Sequence, residues 1–345
     1  MNTTLAGTVI AITVVAAPSL VSAQEAPPVV PVASIAPAAS PAYPVASIAT
    51  VASVNATGDL MRHAKAAAAL PFRVAIHGSG PPVILIPGLM SSGDVWNDAV
   101  ARWSRHYELH VLTLAGFAGV PALADSADFL QRARDGVIAY IRDAALDRPV
   151  IVGHSLGGFL ALWIASTDPS LMRGVVAVDG VPYLVALGDT NATAEGAVGS
   201  AAAVRQMYAT LTTDQMALQA RMSLSMMISD SAQVAAAVEW ARESDPAAVG
   251  SAMAGMMVTD IRPQVHAISA PVLLLAAGGA ATSRDQLERL RAAYSAQLRT
   301  VPDSRTVVAE DALHFIMLDD PGFFHETVDP FLADALGTVA GGSHE

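Results

Sequence analysis

No cysteine occurs anywhere in the 345 residues of the chain, which excludes a disulfide framework, a thiolate nucleophile, a Cys-ligated zinc and a lipid-modified cysteine. That absence is compatible with any compartment. Charge is also scarce: 14% of residues are Asp, Glu, Lys or Arg against 53% apolar, so a disordered, highly charged chain is excluded. Basic residues are the rarer sign, 19 against 31 acidic, for a net charge of −12. With no run of Lys or Arg to track a phosphate backbone, nucleic acid is not an expected partner. Long apolar runs are missing too. Mean hydropathy is +0.44, but past residue 60 no uninterrupted apolar stretch approaches the roughly 18 residues a spanning helix requires.

The N-terminus reads as an export signal. Residues 1–23 carry no charged side chain, are apolar from Leu5 to about Ala17, and end Val21-Ser22-Ala23, a small-x-small pattern cleavable before Gln24. A basic residue near the start is lacking, and the alternative is an uncleaved membrane anchor. Cleavage predicts a periplasmic or secreted protein. Residues 24–59 follow as a Pro/Ala-rich tether, in which Pro-Val-Ala-Ser-Ile-Ala occurs at 31–36 and again at 44–49. So little bulky apolar surface cannot offset the entropy of ordering.

From residue 60 the chain alternates strand and helix signals. Runs at 72–77, 82–88, 109–116, 149–152, 174–178 and 271–277 are β-branched or Leu-rich and stop at Gly or Pro. Between them, residues 126–146 set Phe129, Ala133, Val137, Tyr140, Ile141 and Ala144 on one helical stripe. Such alternation predicts an α/β fold, a mostly parallel sheet with helices on both faces. Gly78-Ser79-Gly80 before Pro81-Pro82 reads as a hairpin loop. Residues 181–268 break the rhythm with a methionine-rich, all-helical insertion, expected as a cap at the carboxyl edge of the sheet, where ligands bind. Core segments are thus 60–180 and 269–340.

The strongest chemical signal is Gly153-His154-Ser155-Leu156-Gly157. It follows the strand 149–152 and opens a helix in which Leu156, Phe159, Leu160, Trp163 and Ile164 share a face. A turn this tight strains the serine backbone and lifts its hydroxyl out of the sheet edge, with glycines two before and two after to avoid Cβ clashes. The Leu156 N–H, at a helix N-terminus, can donate to a developing oxyanion. A purely structural glycine-rich turn is the bland alternative.

Here the sequence resembles the α/β-hydrolase family over about residues 70–337. The resemblance rests on the serine turn, on Pro87-Gly88-Leu89-Met90-Ser91-Ser92 with Trp96 after the second strand, on the helical insertion, and on the late His314-Phe315 pair. It implies a nucleophile–acid–histidine triad, a cap, and a second oxyanion donor at the Leu89 N–H. His314, after the strand-like 306–308, resembles the family's loop after its last strand; His325 is the fallback, and His154 points away from where a base is needed. The acid departs from the commonest pattern, because Gly278-Gly279-Ala280-Ala281 follows the penultimate strand. Asp179, at the end of the strand 175–178, is the leading candidate, with Asp285 next and a turn-capping role as the plain alternative.

Serine with a histidine base performs acyl transfer. The expected function is an exported esterase acting on a small hydrophobic or aromatic ester or lactone, with an amidase, a peptidase or a C–C hydrolase as variants on the same triad. A secreted hydrophobic-ligand-binding protein without turnover is the alternative from another class. No cofactor or metal is expected, since no ligand-spaced cluster, dinucleotide loop or phosphate-binding lysine motif is present.

Overall fold

The computed structural model describes residues 70–125 and 127–337; the signal and tether expected over residues 1–59 lie outside them. Seven strands form one sheet: β1 (Phe72–Gly78), β2 (Pro82–Ile86), β3 (Glu108–Leu114), β4 (Val150–His154), β5 (Gly174–Val178), β6 (Val272–Ala277) and β7 (Ser304–Ala309). Their spatial order is β1-β3-β2-β4-β5-β6-β7. Only β1 runs antiparallel, against β3; every other pair is parallel.

That order corrects the hairpin expected at 78–82. The short link invites local pairing of β1 with β2, yet β3 lies between them. Burial decides the matter. β2 is buried along almost its whole length and needs a neighbour on each edge, whereas β1 is mostly exposed and suits the sheet margin. The parallel β2–β3 pair is closed by a crossover through α1 (Asn97–Trp103).

Alternate residues of the central strands feed opposite layers. Ile84, Ile86, Ile151, Val175 and Ala177 enter one apolar cluster with α2 (Phe129–Asp143) and α3 (Leu156–Thr167). Val83, Leu85, Val150, Val152, Val176 and Val178 enter the other, with α1 and the long C-terminal helix. The single apolar face expected of α3 understates its burial. Its residues are buried from Leu156 to Ser166, and the guanidinium of Arg134 lies 4.3 Å from the Trp163 ring centroid, closing the rim.

Between β5 and β6 come α4 (Ala194–Ala209), α5 (Thr213–Leu224), α6 (Ser231–Arg242) and α7 (Pro246–Val258), with no strand among these described residues. Their methionines divide. Met216, Met253 and Met256 are buried in the core, while Met222 and Met226 are exposed. After β6 follow α8 (Arg284–Gln297), a single turn α9 (Ile316–Asp319) and α10 (Pro321–Leu336). No helix among the described residues is long and apolar enough to cross a membrane.

Candidate active site

Parallel register sets the carboxyl ends of β2, β4 and β5 side by side: Ile86 is opposite Gly153, and His154 opposite Val178. The next residues of each chain segment therefore share one edge. These are Pro87–Leu89 after β2, Ser155 after β4 and Asp179 after β5. After β2 the chain turns toward β3, and after β4 toward β5, so the two connections diverge and leave a crevice between them.

Ser155 sits at the sharp turn into α3 with φ 53° and ψ −115°, a conformation that L-residues rarely adopt. Its N–H donates to the Val178 carbonyl at 2.8 Å, tying the turn to β5. A Cβ on Gly157 would stand 2.1 Å from the Ile86 carbonyl oxygen, so only glycine lets the start of α3 lie against the end of β2. Likewise a Cβ on Gly88 would meet Ser155 Cβ at 3.2 Å and His154 Nδ1 at 2.8 Å. The Pro87–Leu89 segment thus rests on the serine turn. Neither the Leu89 nor the Leu156 N–H is taken up by a carbonyl among the described backbone–backbone bonds.

Asp179 also has a left-handed backbone, φ 49°, and its side chain is almost wholly buried, with three donors. Oδ1 accepts from the Ala277 N–H at 2.9 Å and the Tyr294 hydroxyl at 2.7 Å. Oδ2 lies 2.5 Å from His314 Nδ1. Burial alone would raise its pKa, but the bond to His314, with those to Ala277 and Tyr294, holds it below the usual carboxylate value, so the group stays ionised.

His314 lies in the loop after β7. That loop is fixed by Leu313 N–H to Asp319 Oδ2 at 2.9 Å, by Gly279 N–H to the Ala312 carbonyl at 2.8 Å, and by Phe315 N–H to the Met227 carbonyl of the helical insertion at 3.2 Å. Gly279 lies tight against this loop. A Cβ there would fall 2.8 Å from the Ala312 oxygen, so the histidine loop occupies the space a side chain would need. Asp285 is exposed in the first turn of α8 and is not the carboxylate bonded to His314. The fallback His325 belongs elsewhere too: its Nε2 is 2.6 Å from Asp98 Oδ2, in a contact between α10 and α1.

His154, which the sequence reading set inside the serine turn and aimed away from where a base is needed, packs beside His314. Its ring centroid is 4.6 Å from that of His314, and its Nε2 is 3.0 Å from the His314 carbonyl oxygen. A carbonyl only accepts, so Nε2 carries the proton and Nδ1 is the bare nitrogen, buried without a partner. Burial, and then the neighbouring His314, push its pKa well below the ordinary histidine value, so this ring is neutral. Tyr294 is the group that sequence reasoning missed. Nothing in the helical pattern of 284–297 sets Tyr294 apart from a packing aromatic.

Residues 83–327 match the family model described as Alpha/beta hydrolase family. The chain is 28% identical over 245 residues to a pimeloyl-[acyl-carrier protein] methyl ester esterase of Aliivibrio salmonicida, covering 69% of this chain and 86% of that protein. A second relative, the (E)-2-((N-methylformamido)methylene)succinate hydrolase of Acinetobacter baylyi, is 28% identical over 136 residues, 39% of this chain and 49% of its own length. The fold is similar to that of an enol-lactonase from Burkholderia xenovorans, with TM-score 0.61 and 19% identity over 76% of this chain and 96% of the other. It is also similar to a putative aryl esterase from Burkholderia cenocepacia, with TM-score 0.60 and 23% identity over 77% and 95%.

Proposed function

The chain belongs to the alpha/beta hydrolase family, and from that premise we propose that it is a serine esterase using Ser155 as nucleophile, His314 as base and Asp179 as acid. The observation that carries this reading is the 2.5 Å contact of His314 Nδ1 with a buried, ionised Asp179 at the same sheet edge as the strained Ser155. With Nδ1 bonded to Asp179, Nε2 is the nitrogen assigned to take the serine proton.

In the first half-reaction Ser155 Oγ bonds to the substrate carbonyl carbon as its proton passes to His314 Nε2. The Leu89 and Leu156 N–H groups hold the oxyanion. The intermediate then collapses, the alcohol leaves with the proton from His314, and an acyl-serine remains. Water repeats the sequence and releases the acid. Asp179 keeps the imidazole in the tautomer that presents a bare Nε2 and stabilises the imidazolium.

The substrate we propose is a small hydrophobic or aromatic ester or lactone. The esterase among the relatives favours an ester, and the methionine-rich composition of residues 181–268, expected as a cap, suits an apolar one. We also assign the protein to the periplasm or exterior on residues 1–23; mass spectrometry of the exported protein should then find a mature N-terminus at Gln24, and an intact Met1 would refute cleavage.

The deciding experiment is labelling with a fluorophosphonate. Rapid modification that disappears in Ser155→Ala is expected, together with turnover of aryl esters. An unlabelled wild-type protein that still binds the esters tightly would leave a binding protein on a hydrolase fold.

A further inference from the structure

The acid sits one strand earlier than the commonest arrangement, and the chain compensates with a side chain from the helix that follows β6. Tyr294 lies in the last turn of α8 and is buried, at 5% exposure. Three residues on, Gln297 accepts the Tyr183 N–H at 2.8 Å. One helix thus holds both ends of the segment 179–183 that carries the acid. Asp179 Oδ1 has two donors, the Tyr294 hydroxyl and the Ala277 N–H, while Oδ2 is left to His314 alone.

Resting on the serine-esterase reading above, we propose that Tyr294 is a positioning residue for the reaction. Its hydroxyl, donating 2.7 Å to Asp179 Oδ1, fixes the rotation of the carboxylate so that Oδ2 meets His314 Nδ1. Without it the carboxylate keeps one donor on each oxygen, the Ala277 N–H and His314; the second donor on Oδ1 narrows the remaining rotation about Cβ–Cγ. Burial, and then the Asp179 charge, push the Tyr294 pKa well above the ordinary tyrosine value, so the hydroxyl keeps its proton and remains a donor throughout the working range. The other titratable ring packed against this pair, His154, is neutral and bonded to the His314 carbonyl. It does not compete for Oδ1.

Tyr294→Phe keeps the ring and removes only the donor. With an aryl ester, kcat should fall about tenfold while KM stays within about twofold, because the lost bond acts on the reacting base and not on substrate binding. In an Asp179→Asn background the same substitution should change kcat by less than about twofold, since a group that works through the carboxylate has nothing left to aim. The proton between His314 Nδ1 and Asp179 Oδ2, followed by NMR in the far-downfield region, should move from its wild-type position in Tyr294→Phe. An unmoved resonance together with unchanged kcat would overturn the assignment, as would an equal loss of kcat in both backgrounds. The resonance is read without turnover. Failure of the esterase reading, seen as an unlabelled Ser155, is therefore distinct from failure of this one.

Discussion

The contact between the Pro87–Leu89 segment and the serine turn can be tested with one methyl group. Gly88→Ala places a Cβ 2.8 Å from His154 Nδ1, 3.2 Å from its Cε1 and 3.2 Å from Ser155 Cβ. The His154 ring cannot move aside cheaply, since it is fully buried and pinned to the His314 carbonyl. The strain must be shared among the segment, the turn and the histidine loop, and overpacking of this kind costs about 1–3 kcal/mol. At about 2–4 °C per kcal/mol, Tm should fall by roughly 2–12 °C. The effect on rate should be larger than the effect on stability. A displacement of a few tenths of an ångström to 1 Å separates the Leu89 N–H from the Ser155 hydroxyl, and misplacement on that scale costs up to about 100-fold in kcat/KM. Gly199→Ala is the matched control: it adds the same methyl inside α4, where nothing lies within 4 Å, and should stabilise by about 0.5–1 kcal/mol with unchanged activity. Calorimetry and aryl-ester kinetics read both variants. If Gly88→Ala matched wild type in Tm and kcat/KM, the segment would not rest on the serine turn and the Leu89 donor would have to be abandoned.

What the sequence made legible is whatever is fixed by short-range pattern. The strand–turn–helix around Ser155 is written in eight consecutive residues, and Asp179 ends a strand of five, so backbone geometry alone sends both to the carboxyl edge. The hairpin at 78–82 misleads for the same reason: local turn chemistry suits it, but β2 needs two buried neighbours and only β3, entering from 26 residues later, supplies the second. Partners brought together by tertiary packing leave no local mark. Tyr294 is 115 residues from Asp179, and the ring of His154 touches a loop 160 residues away. The missing acid after β6 was visible as an absence, whereas the crowding of Gly279 by the Ala312 carbonyl needs the fold.

Three further outcomes follow from the site and its surroundings. Asp179→Asn should lower kcat by about four orders of magnitude while leaving fluorophosphonate-sized ligands bound, because the histidine is then held in the wrong tautomer; near-normal turnover would refute its role. Asp285→Asn, in an exposed helix turn, should leave kcat unchanged, and a loss comparable to that of Asp179→Asn would transfer the acid to α8. The third concerns pH and stability. His325 Nε2 is 2.6 Å from Asp98 Oδ2, and its Nδ1 stands 3.6 Å from Asp329 Oδ1, too long for a hydrogen bond but close enough for charge attraction. Burial disfavours the imidazolium, yet the two carboxylates outweigh it and the pKa of His325 is raised above 6.5. A raised folded-state pKa means that this stabilisation is fully present below pH 6.5, where the unfolded histidine is protonated as well, and is lost as pH climbs through the higher folded value. Asp329, which accepts from Trp103 Nε1 and Arg102 Nε at 2.7 Å each, has its pKa lowered, so its contribution disappears only in acid. Chemical-denaturation midpoints measured from pH 5.5 to 9 should therefore decline above pH 6.5 in wild type and decline less in His325→Gln. Parallel curves for the two proteins would show that the α1–α10 contact is held by the Asp329 bonds to Arg102 and Trp103 alone.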